Sequence, residues 1–323
     1  MVKTILVPLD GSRLAEYALP QARRLAHATH ATLVLVRVVH GGAIVPANQR
    51  AAVEEAERYL RHLEERLTAR GYSIRTDVFL AEPVEGIVLA SQVHAADVIV
   101  MCTHGLTGLR QALLGSVAHK TLREVGVPVL MVQASATKQD DLPDVQATPY
   151  QHILVPLDGS QRTERALRYI AEQDFARDAE FVLMHSETPA ALRIAAAYGP
   201  IMGVGGYVPQ ATLNEADQET RQHCASANAY LTRMAQTYLP GRPWRSCVPL
   251  DDAAHATVHQ ASAGAIDLIV MTTHARAGLD RLLSGTIAGQ VLHHAHTPVL
   301  LLREPEEPVA VPQIAATTVG ATR

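Results

Sequence analysis

The chain is predicted to be an α/β protein built as two tandem domains, each a five-stranded parallel sheet of strand order 3-2-1-4-5 between two layers of helices. Three observations predict this. Short apolar runs alternate with amphipathic runs at helical spacing, β-α-β-α-β-α-β-α-β, and right-handed crossovers turn such an alternation into a parallel sheet. The opening ILVPLDGS of Ile5 to Ser12 recurs intact from Ile153 to Ser160, an offset of 148. The stretch Asp97 to Val132 recurs as Asp267 to Leu302, an offset of 170, with His104, Gly115 and Pro128 falling on His274, Gly285 and Pro298. The offsets differ by 22, so the second copy carries an insertion of that length between its two motifs.

Thr4 to Leu9 is a β-branched strand stopped by Asp10-Gly11-Ser12, and Leu14, Ala18, Ala22 and Leu25 give one helix over 14–28. Ala31 to Val39 is a strand. A long charged helix follows over Gln49 to Arg70, with Val53, Ala56, Leu60, Leu63 and Leu67 as its stripe and Gly71 as its stop. Tyr72 to Leu80 alternates as a strand, Val84 to His94 is a helix, and Val98 to Met101 is a strand buried on both faces. A glycine-bearing loop, a helix to Arg123 and the strand Val127 to Val132 complete the copy. The second copy repeats this with strands at 153–157, 180–185 and 243–250 and helices at 162–176, 214–238 and 252–264. The domains are expected at 1–135 and 151–304, joined by a polar linker at 136–150. The inserted loop is expected at 188–213, and residues 305–323 form a tail with no periodicity.

Composition narrows the function. A hydrophobic content of 48% with 19% charged residues describes an ordinary globular chain, and each copy is long enough for its own core. The net charge of −4 and the lack of a basic block argue against nucleic acid as partner. No run reaches the length of a membrane span, and the N-terminus lacks the pattern of a signal peptide. Cys102, Cys224 and Cys247 form no CxxC and cannot all pair, which fits a reducing cytoplasm.

In an open sheet of this order, ligands bind where the strand order reverses, between strands 1 and 4. The loops there start at Asp10 and Cys102. The second loop leads through His104 and Gly105 to Gly115-Ser116 at a helix start. Glycines let backbone approach an anion, and a helix N-terminus supplies free N–H groups and about half a positive charge. Asp10 can accept a hydrogen bond from a base or help hold a cation; alternatively, Asp10-Gly11-Ser12 caps the next helix. Other features carry less. His255 and His259 share a helical face but have no third metal ligand at a diagnostic spacing. His293, His294 and His296 suit a helix C-terminus. Gly41-Gly42 and Gly203 to Gly206 do not lead a strand into a helix.

Asp10 after ILVP, THG followed by nine residues and GS, and the closing PVLMV strand together resemble the universal stress protein family, in tandem form. The resemblance covers both copies, leaving out the linker, insertion and tail. It implies the adenine nucleotide alpha-hydrolase-like, flavodoxin-like three-layer sandwich. The ATP-binding branch has the pattern G-two-G-nine-G-[ST], which falls on Cys102, Gly105, Gly115 and Ser116, with cysteine replacing the first glycine. The resemblance also carries adenine contacts to Asp10 and to the backbone of Val38. In the second copy the positions are Thr272, Ala275, Gly285 and Thr286, with Asp158 and Ser186 for Asp10 and Val38. Ala275 adds a methyl where backbone should meet phosphate.

The expectation is an ATP, ADP or AMP site in the first copy, compatible with Mg²⁺, and a weaker second site. The protein then acts as a stress or signalling sensor without efficient turnover. No P-loop, arginine finger or nucleophile–base pair is present, although slow hydrolysis or phosphorylation of Ser116 needs only positioned phosphates. The alternative is a protein-interaction module that binds no nucleotide. The resemblance further implies that the edge strands Val129 to Val132 and Val299 to Leu302 pair as an internal pseudo-dimer. A homodimer of whole chains is compatible with the sequence.

Overall fold

A computed structural model describes residues 1–40, 46–103, 115–133, 148–190, 192, 210–273 and 286–303. The first copy contains β1 (Thr4–Pro8), α1 (Arg13–Glu16), α2 (Ala18–Thr29), β2 (Thr32–Val39), α3 (Pro46–Thr68), β3 (Ile74–Leu80), α4 (Pro83–Val93), β4 (Val98–Cys102), α5 (Ser116–Glu124) and β5 (Val129–Val132). The second contains β6 (His152–Pro156), α6 (Gln161–Ala171), a 3-10 turn (Asp174–Ala176), β7 (Glu180–Met184), α7 (Gln210–Tyr238), β8 (Trp244–Cys247), α8 (Ala253–Ala263), β9 (Leu268–Thr273), α9 (Ile287–His294) and β10 (Val299–Arg303).

The strands form one ten-stranded sheet, β3-β2-β1-β4-β5-β10-β9-β6-β7-β8. Within each copy neighbours are parallel, and β1 lies between β2 and β4, as β6 lies between β7 and β9. At the centre β5 and β10 pair antiparallel, with Val299 opposite Met131 and Leu300 opposite Leu130. The copies thus share a sheet and also a core on each of its faces.

The central strands read as nearly unbroken apolar runs because both of their faces are buried. Ile5, Val7, Val98 and Val100 point into one layer, beneath α2, α3, α6 and α7. Leu6, Ile99 and Met101 point into the other, beneath α4, α5, α8 and α9. The repeated aspartates have a structural task here. Asp97 Oδ2 accepts from the backbone N–H of Lys3 and Thr4 at 2.7 and 2.9 Å. Asp267 does the same for Gln151 and His152. Each carboxylate pins the start of the first strand of its copy.

Several boundaries differ from expectation. The single helix over 14–28 is two, broken at Tyr17, because Pro20 cannot donate within a continuing helix and is accommodated only in the first turn of a new one. The helix expected over 162–176 stops at Ala171; Gln173 is extended and swings Phe175 into the core against Tyr150. The third strand of the second copy is only Trp244–Cys247. The end of the expected linker is tied to the first copy: Tyr150 is buried, and Arg24 donates to the carbonyls of the exposed Thr148 and Pro149 at 2.7 and 2.8 Å. Most of the inserted loop and the whole tail lie outside the described residues.

Candidate functional site

The first-copy crevice lies where the chain leaves β1 and β4 side by side. Gly11 turns the first loop with φ +83°, a left-handed conformation, and a Cβ there would stand 3.1 Å from the guanidinium carbon of Arg37. Ser12 caps α1, its hydroxyl accepting from the Ala15 N–H at 3.1 Å, while Asp10 Oδ1 accepts from the Ser12 N–H at 2.9 Å. Capping therefore falls to the serine, and Asp10 stays at the crevice mouth, half-buried.

On the other side, Thr103 N–H donates to Val132 and Gly115 N–H donates to the Thr103 carbonyl at 2.7 Å, which holds the start of α5 against the end of β4. Gly115 occupies the cap position of α5. It has no side chain to accept the first-turn N–H groups, and that turn carries no acidic residue. Both loops line one cavity of about 310 Å³. Asp10, Cys102, Gly115 and Ser116 are brought together in it, and so is Val38. Apart from Thr103, its remaining walls are apolar, among them Val36 from the sheet, Pro83 and Ile87 from α4, and Ala118 from α5. His104 and Gly105 lie outside the described residues.

The matching cavity of the second copy is larger, about 790 Å³, and includes Asp158, Ser186, Thr272 and Thr286. Several positions that are apolar in the first are polar here. Thr163 stands for Ala15, Ser186 for Val38 and Thr272 for Cys102, and Arg162, His185, Asp251 and Asp252 join them. Many of these groups are engaged with one another. Asp158 Oδ1 accepts from Ser160 N–H at 2.9 Å, Ser160 Oγ at 2.5 Å and Thr163 Oγ1 at 2.8 Å. Desolvation at the crevice mouth raises the Asp158 carboxyl pKa, but these hydrogen bonds and the charge of Arg162 outweigh it and hold it below its ordinary value. Thr286 caps α9, accepting from the Gly289 N–H at 3.1 Å. Asp252 caps α8, and Asp251 is hydrogen-bonded to His255. Ala275, Gly285 and His274 lie outside the described residues.

Sequence reasoning missed the α4 wall, above all Gly86, whose bare Cα faces Val38. A lone glycine inside a helical pattern was the available signal. Among the described residues, no group of three His, Cys, Asp or Glu side chains is placed to hold a metal ion, and no helix is long and apolar enough to cross a membrane.

A sequence model of the Universal stress protein family matches residues 1–133 and again residues 149–303. The chain belongs to the universal stress protein family. It carries the family's domain twice. A universal stress protein of Mycobacterium tuberculosis is 28% identical over 237 residues, covering 73% of this chain and 70% of the relative. A universal stress protein of Thermus aquaticus is 35% identical over 140 residues, which is 41% of this chain and 100% of that relative. Among solved structures, a universal stress protein from Archaeoglobus fulgidus superposes with a TM-score of 0.63 at 18% identity, covering 94% of this chain and 98% of that one; this likeness concerns the fold.

Proposed function

We propose that this universal stress protein binds an adenine nucleotide (ATP, ADP or AMP) in its first copy and acts as a stress-response or signalling sensor without efficient turnover. The observation that carries the reading is a single cavity joining the Asp10 loop to the glycine-started N-terminus of α5. The base lies between apolar walls, with the Asp10 carboxylate and the Val38 backbone at its polar edge. The phosphates meet the unpaired N–H groups of α5 and the Ser116 hydroxyl, with Mg²⁺ as their accompanying cation. In the second copy Asp158, Thr163, Asp252 and Thr286 already satisfy one another or cap helices, and Thr163 and Ser186 stand where the first copy has Ala15 and Val38. That copy is proposed to bind weakly or not at all and to serve as the structural partner.

The test is mass spectrometry of small molecules released from the purified chain, followed by calorimetric titration with ATP and Mg²⁺. One nucleotide per chain is expected, and Asp10→Ala is expected to weaken binding by about tenfold or more. Two equal sites per chain would overturn the asymmetry. A flat titration would overturn the nucleotide reading and leave a protein-interaction module.

A further inference from the structure

The first turn of α4 meets the end of β2 without a side chain between them. A Cβ built on Gly86 would stand 2.6 and 2.7 Å from the two methyl carbons of Val38, closer than side chains come. Nothing else in the backbone calls for glycine here. Gly86 is not among the residues of positive φ, and its N–H donates to the Glu82 carbonyl at 2.8 Å as in any helix. Glycine inside a helix lowers stability, so its presence reflects the close approach. The second copy carries Ala256 and Ser186 at these two positions, with bulk on the helix and less on the strand.

We infer that the Gly86–Val38 contact sets the width of the first-copy crevice, making Gly86 a specificity-determining residue for the base end of the bound nucleotide. This rests on the nucleotide reading above. The physical reason is which side of the contact can give. α4 is anchored by Ile87 and Ala90, 3% and 0% exposed. Val38 is half-buried at a strand end and has the cavity on its free side. A methyl added at position 86 therefore turns the Val38 isopropyl group into the space a base occupies. Pro83 and Ile87, on the same turns of α4, line the same cavity, so the contact lies in its wall.

The experiment is a double-mutant cycle on the full chain: wild type, Gly86→Ala, Val38→Ala and the double variant, each titrated with ATP and Mg²⁺ and checked by circular dichroism. Gly86→Ala is expected to weaken ATP binding by about tenfold when Val38 is present, and by no more than about twofold when residue 38 is alanine. Unchanged ATP affinity in folded Gly86→Ala overturns the inference and leaves the nucleotide reading intact. An equal loss in both backgrounds does the same. So does a Gly86→Ala chain too unstable to titrate beside a double variant that binds like wild type, because the contact would then serve packing alone. Absence of ATP binding by the wild type overturns both readings.

Discussion

Arg24 is the residue on which the two copies most directly depend. It lies in α2 of the first copy, largely buried, and its guanidinium donates to Asp267 at 2.6 Å while lying 4.0 Å from the centre of the Tyr150 ring. A buried ion pair is costly to break because one charge is left without its partner. Arg24→Met is expected to destabilise the protein by about 3 kcal/mol, the low end for such pairs, since Asp267 keeps two backbone donors and some water. Denaturant melts of the two proteins check it. Asp158 gives a prediction of opposite character, in pH. Its folded pKa lies below the ordinary 3.8, so its contribution to stability is complete at neutral pH and disappears as pH falls through the folded value. The advantage of wild type over Asp158→Asn in thermal melts should be largest near neutral pH and shrink only once the pH falls below the ordinary carboxylate range.

At the scale of elements, the helix ends hold strain that substitution can release. Ala95 and Ala265, each two residues past the last helical residue, have φ of 47° and 53°, the left-handed conformation that suits glycine. Ala95→Gly is expected to raise stability by about 0.5–1 kcal/mol, read as a shift in denaturant midpoint. The elements themselves were largely legible. Strands such as Val98–Cys102 announce themselves because a parallel strand covered on both faces has no polar positions to interrupt it. The break at Tyr17 was missed because Leu14, Ala18, Ala22 and Leu25 keep helical spacing straight through it. Spacing reports which side faces the core, whereas Pro20 acts on the backbone. The second copy has Arg168 at the place of Pro20, and α6 runs unbroken. Of the candidate site, the loops at Asp10 and Gly115 were legible from glycine and strand order. The Gly86 wall was not, because it arises from a helix meeting a strand about fifty residues earlier in the chain, a distance no local pattern encodes.

At the scale of the molecule, the seam between β5 and β10 joins the halves through backbone hydrogen bonds and continuous apolar cores on both faces. A protease site introduced between Gln133 and Thr148 should, once cut, leave two fragments that still elute together at the size of the intact chain. Separation of the fragments would show that the covalent connection alone holds them. The antiparallel direction of that seam also fixes where the two crevices lie. Each opens at the carboxyl ends of its own strands, and the strands of one copy run against those of the other, so the crevices sit on opposite rims of the sheet. A dimer of identical chains would carry the same residue at both rims, and any mutation would strike twice. Joined in one chain, the halves can drift apart one position at a time, so Val38 and Ser186 are free to differ. The fusion has turned a symmetric pair into a permanent heterodimer with its stoichiometry written into a single message.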